Sequence, residues 1–245
     1  MSVDITDLRS FYAGPLGLLA QRQVGRVLAS RWPNLAGLSV LGLGYAVPYL
    51  ATLGAGARRA LAFMPAQQGV ANWPGATGLS SSALVDPLIL PLPDSSIDRV
   101  LVVHGLEFVT SPAECLGEVS RILAPGGRVA LVCPNRRGLW ARMDTTPFGY
   151  GQPFSRSQLR RLMAGALLSP ESWAETLYVP PLGSRFFLRG AGMWERLGVG
   201  LSLPFAGVHV VEATKQLHRP VTVRATARKV RARQPVLVPA AAAPT

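Results

Sequence analysis

The sequence is poor in cysteine, lysine and histidine, and it lacks the short motifs of several enzyme classes. Its 245 residues contain two Cys and three His. Cys115 and Cys133 are not spaced as metal ligands, and a single pair gives no disulfide framework. We find no P-loop, no metal-ligating cluster and no catalytic triad pattern. These absences exclude a disulfide-stapled domain, and they predict that the chain holds no metal.

Segments typical of secreted and membrane proteins are also missing. Residues 1–7 are acidic and lack the basic start and apolar centre of a signal peptide. Residues 35–57 carry no charge, but they include five glycines and Pro48, which divide the segment into a short strand, a turn and a short helix. The sequence therefore predicts a cytoplasmic protein without a membrane span.

Acidic residues are few, and the basic residues are unevenly placed. There are 13 Asp and Glu against 25 Lys and Arg, which gives a net charge of +12. Residues 219–245 hold six basic residues and no acid, and their Pro- and Ala-rich composition predicts a disordered tail. A nucleic-acid partner is one interpretation of this charge, and the Arg and Ala excess of a GC-rich genome is another. Because no aromatic residues are interleaved with the basic ones, we expect no nucleic-acid binding.

The middle of the chain forms the clearest structural pattern. A near-continuous aliphatic run at 97–104 predicts a strand that is buried on both faces. Ser111 and Pro112 are typical of a helix start, and the Pro-Gly-Gly sequence at 125–127 ends that helix. Residues 128–133 predict a second buried strand. Strand, helix and strand in this order indicate a right-handed crossover in a parallel sheet.

The same stretch resembles a known family. The residues that carry the resemblance occur in the order Asp86, Leu90-Pro91, Asp94, Asp98, His104, Leu106-Glu107, Leu116, Glu118, Arg121, Leu123 and Pro125-Gly126-Gly127. This order is similar to the middle of the class I S-adenosylmethionine-dependent methyltransferases of the type 11 group. The resemblance implies an α/β fold: a doubly wound, mostly parallel seven-stranded sheet (Rossmann-like) with helices on both faces and an antiparallel pair at one edge. We expect a helical segment at 1–34, the methyltransferase-like domain at 35–218 and the tail at 219–245.

The turn after the first predicted strand departs from that family. A strand that leads into a glycine turn and a helix start is a common site for a nucleotide-like ligand. The family has an acid followed by three alternate glycines, whereas this chain has Gly42, Gly44, Ala46 and Pro48. Met64 occupies the position of the acid that receives the ribose hydroxyls. The resemblance thus implies an S-adenosylmethionine site that is altered at its ribose and amino-acid end.

Other residues of the predicted cofactor site agree better with the family. Asp86 aligns with the residue that takes the adenine amino group, and Gln67 or Gln68 could replace the ribose contact without charge. Because a hydrogen bond to a charged partner contributes about 1.5 to 3 kcal/mol against about 1 for a neutral one, losing two acids weakens binding about a hundred-fold. We therefore expect cofactor binding to be weakened, or lost if the site is degenerate. The predicted cofactor-binding residues are Gly42, Gly44, Ala46, Met64, Gln67, Asp86 and Leu88.

Candidate substrate residues follow two neighbouring strands. His104 ends a buried strand, where it is a candidate base or substrate ligand, and a structural His that caps a backbone carbonyl fits the sequence equally well. The segment 134–154 is punctuated by Gly and Pro, and we interpret it as a substrate loop or lid. Its arginines could meet an acidic group, or they could be solvated and paired with Asp144. The predicted substrate residues are Arg136, Arg137, Trp140, Arg142 and Asp144.

The sequence predicts S-adenosylmethionine-dependent methyl transfer to a small-molecule acceptor. The sulfonium methyl group is already activated, so the protein needs to supply only placement and at most a base. The missing triad is compatible with this chemistry. The alternative is a non-catalytic, methyltransferase-like module with a ligand or a protein partner, and the altered residues Gly42, Ala46, Pro48 and Met64 are the argument for it.

Overall fold

The computed structural model of the chain describes residues 3–74, 81–201 and 203–216. The tail predicted at 219–245 lies outside these residues. Within them, no helix is both long and apolar enough to cross a membrane. The α-helices are α1 (Ile5–Ala13), α2 (Pro15–Arg31), α3 (Val47–Leu53), α4 (Pro112–Ile122), α5 (Arg156–Gly165) and α6 (Arg185–Gly200). The strands are β1 (Ser39–Gly44), β2 (Arg59–Pro65), β3 (Ser82–Val85), β4 (Ile97–Val103), β5 (Leu123–Pro134), β6 (Leu168–Thr176) and β7 (Val208–Lys215).

All seven strands belong to one sheet, in the order β3-β2-β1-β4-β5-β7-β6. Strands β1 to β5 pair in parallel, and β7 runs antiparallel to both β5 and β6. The chain therefore winds outward from the centre of the sheet in both directions, starting from the neighbours β1 and β4. This architecture confirms the predicted fold class, including the antiparallel pair at one edge.

Both faces of the sheet are covered, because successive side chains of a strand point to opposite sides. In β4, Leu101 and Val103 belong to the buried cluster that contains the apolar residues of α2 and α3. Val100 and Val102, which alternate with them, belong to the cluster that contains the apolar residues of α4 and α5. This burial explains why the strand sequence is almost continuously apolar.

The N-terminal helical segment expected at 1–34 contains two helices. The helix breaks at Gly14, whose backbone is extended (φ −82°, ψ 164°), and Pro15 begins α2. A residue before proline is pushed out of the helical region by the proline ring, which explains the break. The break separates α1 from α2, and α1 lies over the carboxyl end of the sheet, as described below.

An ion-pair network ties the β3–β4 connection to α4. Arg121 donates to both carboxylate oxygens of Glu118 at 2.8 Å, and to the backbone oxygens of Leu90 and Leu92 at 2.9 Å. Its side chain is 31% exposed and also reaches Asp94 at 2.6 Å. The hydrogen bonds from Arg121 hold the pKa of Glu118 below its ordinary value. The network anchors the loop that carries Asp86 and Leu88 at its start.

We predict that Arg121→Ala lowers the free energy of unfolding by about 2 kcal/mol, because charge-assisted hydrogen bonds are lost at a partly buried site. The lowered pKa of Glu118 means that its carboxylate stabilises the fold above its unfolded pKa of about 4.3, and that this contribution is lost as the pH falls through the folded value. Urea unfolding at neutral pH and below about pH 4 measures both effects. The difference in the free energy of unfolding between wild type and Arg121→Ala should narrow in acid. Arg161→Ala, on the exposed surface of α5, is the control. If it loses as much unfolding free energy as Arg121→Ala, the prediction is contradicted.

Candidate active site

The sheet has its topological switch point between β1 and β4, and ligands of open α/β sheets bind in the crevice outside the strand ends at such a point. Gly44 ends β1 with φ +80°, and a Cβ at this position would lie 2.3 Å from the backbone oxygen of Val103. Only glycine permits this turn and this close approach. The glycine that the chain shares with the family pattern therefore joins the two strands at the crevice.

A tyrosine from α1 fills this crevice. The hydroxyl of Tyr12 lies 2.9 Å from Nε2 of His104, which follows β4, and 3.2 Å from the hydroxyl of Tyr49 on α3. The rings of Tyr12 and Tyr45 are 5.5 Å apart, and all three tyrosines are buried. Burial raises the pKa of Tyr12 well above its ordinary value, so its hydroxyl stays protonated and can donate one hydrogen bond while it accepts another. Tyr12 thus bridges the two sides of the switch point.

His104 occupies a strained and fully buried position at the end of β4. Its backbone has φ +48°, in the left-handed region that few non-glycine residues adopt. Its ring lies 4.6 Å from the ring of Phe148, which comes from the segment predicted as a lid. Its Nδ1 is 3.4 Å from Oε1 of Glu107, whose side chain is 1% exposed. The order Glu107, His104 and Tyr12 places a carboxylate, an imidazole and a phenol in a row.

Gln68 joins this arrangement from the other side. Its side-chain nitrogen donates to the backbone oxygen of His104 at 2.6 Å, and its own backbone oxygen accepts from the amide of Ile5 at 2.7 Å. The side chain is buried. Gln68 therefore fastens the start of α1 to the end of β4, and in this conformation it is not available as a ribose ligand.

Three predicted cofactor residues, Gly42, Ala46 and Met64, are packed into the core. A Cβ on Gly42 would lie 2.5 Å from Leu50 Cδ1 and 2.7 Å from the Cβ of Ala46, so the place of the family's acid has no room for a side chain. Met64 is fully buried, and its sulfur accepts from the amide of Ala71 at 3.1 Å. These side chains pack against helix α3 and the chain after β2, and their part in cofactor binding stays a prediction.

Three further predicted cofactor residues come together. Gln67, Asp86 and Leu88 line a cavity of about 200 Å³ between the ends of β2 and β3, with Phe108 and Val109 opposite. Oδ1 of Asp86 accepts from the amide of Leu88 at 2.9 Å, which fixes the carboxylate at the cavity. The volume is below the roughly 300 to 1,000 Å³ of pockets that hold a whole drug-sized ligand. The cavity has the size and lining for one ring system with a polar edge.

The two ends of S-adenosylmethionine would meet different parts of this arrangement. The adenine end fits the cavity at Asp86, which offers apolar walls and a carboxylate for an amino group. The ribose and methionine end does not fit this conformation, because hydrogen bonds close the crevice. The hydroxyl of Tyr12 bonds to the ring of His104, and the side chain of Gln68 donates to the backbone oxygen of His104.

The predicted substrate residues do not form one site. Trp140 is fully buried, and its indole nitrogen donates to the backbone oxygen of Val179 at 2.8 Å, so it is a core residue and is not available to cover a ligand. Asp144 lines a groove of about 590 Å³ beside α1, together with Asp7. A different groove, beyond the end of β5, is lined by Arg136 and Arg137. The side chain of Arg142 is exposed and lines neither of these two grooves. The segment 134–154 is therefore partly core and partly the rim of two grooves.

Sequence reasoning missed the tyrosines altogether. Tyr12 and Tyr49 are 37 positions apart, and Tyr12 and His104 are 92 apart, so no local pattern links them. An aromatic pair at the end of a short N-terminal helix was the only available sign. Glu107 belongs to the family pattern of the sequence, but its burial beside His104 could not be read from it.

Comparisons with known proteins agree with this architecture. A family model described as "Methyltransferase domain" matches residues 41–131, from β1 to β5. A demethylmenaquinone methyltransferase of Parafrankia sp. (strain EAN1pec) is 40% identical over 65 residues, which are 26% of this chain and 25% of that protein. An uncharacterized methyltransferase of Mycobacterium tuberculosis is 47% identical over 47 residues, 19% of each chain. The matched segment spans a quarter or less of the length of these relatives.

Solved structures show the same fold over more of the chain. A possible histamine N-methyltransferase from Thermotoga maritima has a TM-score of 0.59 at 17% identity, covering 86% of this chain and 96% of that one. The [4+2]-cyclase SpnF has a TM-score of 0.58 at 18% identity, covering 81% of this chain and 82% of that one. The family match over strands β1 to β5 and the shared architecture confirm the resemblance seen in the sequence: residues 41–131 match the methyltransferase domain model, and the chain has a class I methyltransferase fold.

Proposed function

We propose that the protein is an S-adenosylmethionine-dependent methyltransferase of a small-molecule acceptor, and that its cofactor crevice opens by movement of α1. The observation that carries the proposal is the cavity at Asp86 beside a switch point that holds His104. The family match covers both. Relatives and structural neighbours named as demethylmenaquinone and possible histamine methyltransferases agree with a small acceptor.

In this proposal the residues divide into three tasks. Gln67, Asp86 and Leu88 hold the adenine ring. His104 accepts a proton from the acceptor, at the Nε2 atom that now contacts the hydroxyl of Tyr12. Glu107, 3.4 Å from Nδ1, is a positioning residue that fixes the orientation of the imidazole. The cofactor supplies an activated methyl group when bound.

Opening the crevice has an energetic cost that the affinity must reflect. Displacing α1 breaks the two hydrogen bonds of Tyr12 and exposes its ring. Neutral hydrogen bonds contribute about 1 kcal/mol each, so the two bonds of Tyr12 alone cost about 2 kcal/mol. The bond from the Ile5 amide to Gln68 and the burial of Leu8 add to this cost, so the apparent affinity is weakened by more than about 30-fold. Only a tight intrinsic site still binds at micromolar concentrations.

The second candidate is a non-catalytic module that binds an adenine-containing ligand or a protein. The filled crevice and the missing acids favour it. The fold does not decide between the two, since one structural neighbour is a [4+2]-cyclase. Another neighbour comes from a complex with a methyltransferase activator of Haloferax volcanii, which supports a protein partner as part of either proposal.

The experiment that separates the candidates is calorimetric titration with S-adenosylmethionine, S-adenosylhomocysteine and adenosine. The proposed function predicts that all three bind and that the two complete ligands bind more tightly than adenosine. Binding of adenosine alone contradicts it and favours the module. Absence of heat with all three contradicts the assignment of the cavity itself.

We predict that Tyr12→Phe tightens binding of S-adenosylhomocysteine about tenfold. The variant keeps the ring but removes both hydrogen bonds of the closed state, so opening costs about 1 to 2 kcal/mol less. For the same reason its free energy of unfolding should fall by a similar amount in urea. Tyr150→Phe, at a half-buried tyrosine outside the crevice, should change neither quantity. Unaltered affinity in Tyr12→Phe, with the stability loss present, shows that α1 is a fixed part of the core.

We predict that Asp86→Asn weakens binding of adenosine and of S-adenosylhomocysteine by about tenfold, because a charge-assisted hydrogen bond becomes a neutral one. The asparagine oxygen still accepts from the amide of Leu88, so the turn is kept. Asp144→Asn removes the same charge from a different groove and is the matched control. Equal effects of the two variants on adenosine binding contradict the placement of the ring at Asp86.

A further inference from the structure

A second concave surface lies beyond the ends of β5, β6 and β7, outside the cofactor crevice. It has a volume of about 540 Å³, and its charged lining is strongly unbalanced. We propose that this basic groove binds the phosphate group of a small-molecule phosphate ester. The groove is lined by Asn135, Arg136, Arg137, Ser155, Arg156, Ser157, Arg160, Glu175, Pro204 and His209.

Two of its arginines are held in place by one aromatic ring. The guanidinium carbons of Arg156 and Arg160 lie 4.8 and 5.9 Å from the centroid of the Trp173 ring. They are four positions apart on α5, where like charges repel each other. Contact with the face of the indole offsets part of this repulsion and orders the two side chains. Two ordered guanidinium groups side by side match the oxygens of a phosphate.

A buried histidine reaches the same groove. His209 is 3% exposed, and its Nδ1 lies 3.1 Å from Oε1 of Glu175. Among the described residues, its Nε2 has no hydrogen-bond partner. Both ring nitrogens are themselves buried, so His209 contributes to the wall of the groove through its contact with Glu175 and does not meet the ligand directly.

The remaining lining supports an anion. Arg136 and Arg137 directly follow the buried Asn135, so the groove carries four arginines against one carboxylate. The amino end of α5 is not the source of attraction, because Ser155 and Gln158 already cap it reciprocally. The positive charge therefore comes from side chains, which form fork-shaped contacts with phosphate oxygens.

The geometry favours a small molecule over a nucleic acid. The volume falls within the roughly 300 to 1,000 Å³ of small-molecule pockets. Binding of single-stranded nucleic acid relies on exposed aromatic rings for base stacking, whereas the ring of Trp173 is covered by the two arginines. This inference stands independently of the proposed function, since no residue of the groove belongs to the cofactor crevice.

The test is calorimetric titration of the full chain with pyrophosphate and with inorganic phosphate, in a low-salt buffer. We expect pyrophosphate to bind with a dissociation constant below about 1 mM. The double variant Arg156→Gln with Arg160→Gln should weaken binding at least about tenfold. The matched control is Arg22→Gln with Arg26→Gln, which removes the same charge from exposed positions four apart on α2. We expect the control to stay within about twofold of the wild type.

Three outcomes overturn the proposal. No heat with pyrophosphate up to about 10 mM means that the groove is not a phosphate site. Equal weakening in the two double variants means that pyrophosphate senses only the net charge. Vesicles containing phosphatidylglycerol, or a single-stranded oligonucleotide, are titrated in parallel. Binding of either one that depends on Arg156 and Arg160, with no binding of pyrophosphate, assigns the groove to that macromolecule instead.

Discussion

The hydroxyl of Tyr12 is the contact on which the arrangement of the crevice depends. It links α1 to both sides of the switch point, through Tyr49 on the β1 side and His104 on the β4 side. A ligand crevice in a doubly wound sheet exists because two strand connections diverge there. In this chain Tyr12 bridges the two connections and closes the crevice. The cavity at Asp86 lies at one end of it. Any account of ligand binding must therefore begin with α1.

The strands and most helices were predictable because their patterns are local. The alternation of buried residues in β4 and the apolar stripe of α4 follow from periods of two and 3.6 residues. The break between α1 and α2 also has a local cause, the pair Gly14-Pro15, although the apolar pattern continues across it. Asp86 and His104 could be singled out because each follows the end of a strand, which is a local signal, and their roles stay predictions.

The rest of the site could not be read from the sequence, because distant side chains create it. Gly42 was interpreted as a lost charge, yet in the structure Leu50 and Ala46 fill its place. Likewise, Arg156 and Arg160 appear in the sequence as an ordinary polar helix face. Only the position of Trp173 on β6 shows that they are ordered. The family match ends at residue 131, before this groove and the segment 134–154 begin.

Two features of the crevice favour a gate over a site that has decayed into core. A decayed site would repack until its polar groups were paired or replaced. The driving force is the cost of an unpaired buried carboxylate, which is on the order of several kcal/mol. Glu107 is buried beside His104, and among the described residues its carboxylate oxygens have no hydrogen-bond partner, only the 3.4 Å approach of Oε1 to Nδ1 of His104. His104 also keeps a left-handed backbone, which costs about 1 to 3 kcal/mol and is found mainly where function requires it. The closed crevice thus retains two energetic costs, the buried carboxylate of Glu107 and the left-handed backbone of His104. Both are explained if His104 acts on a ligand when the crevice is open.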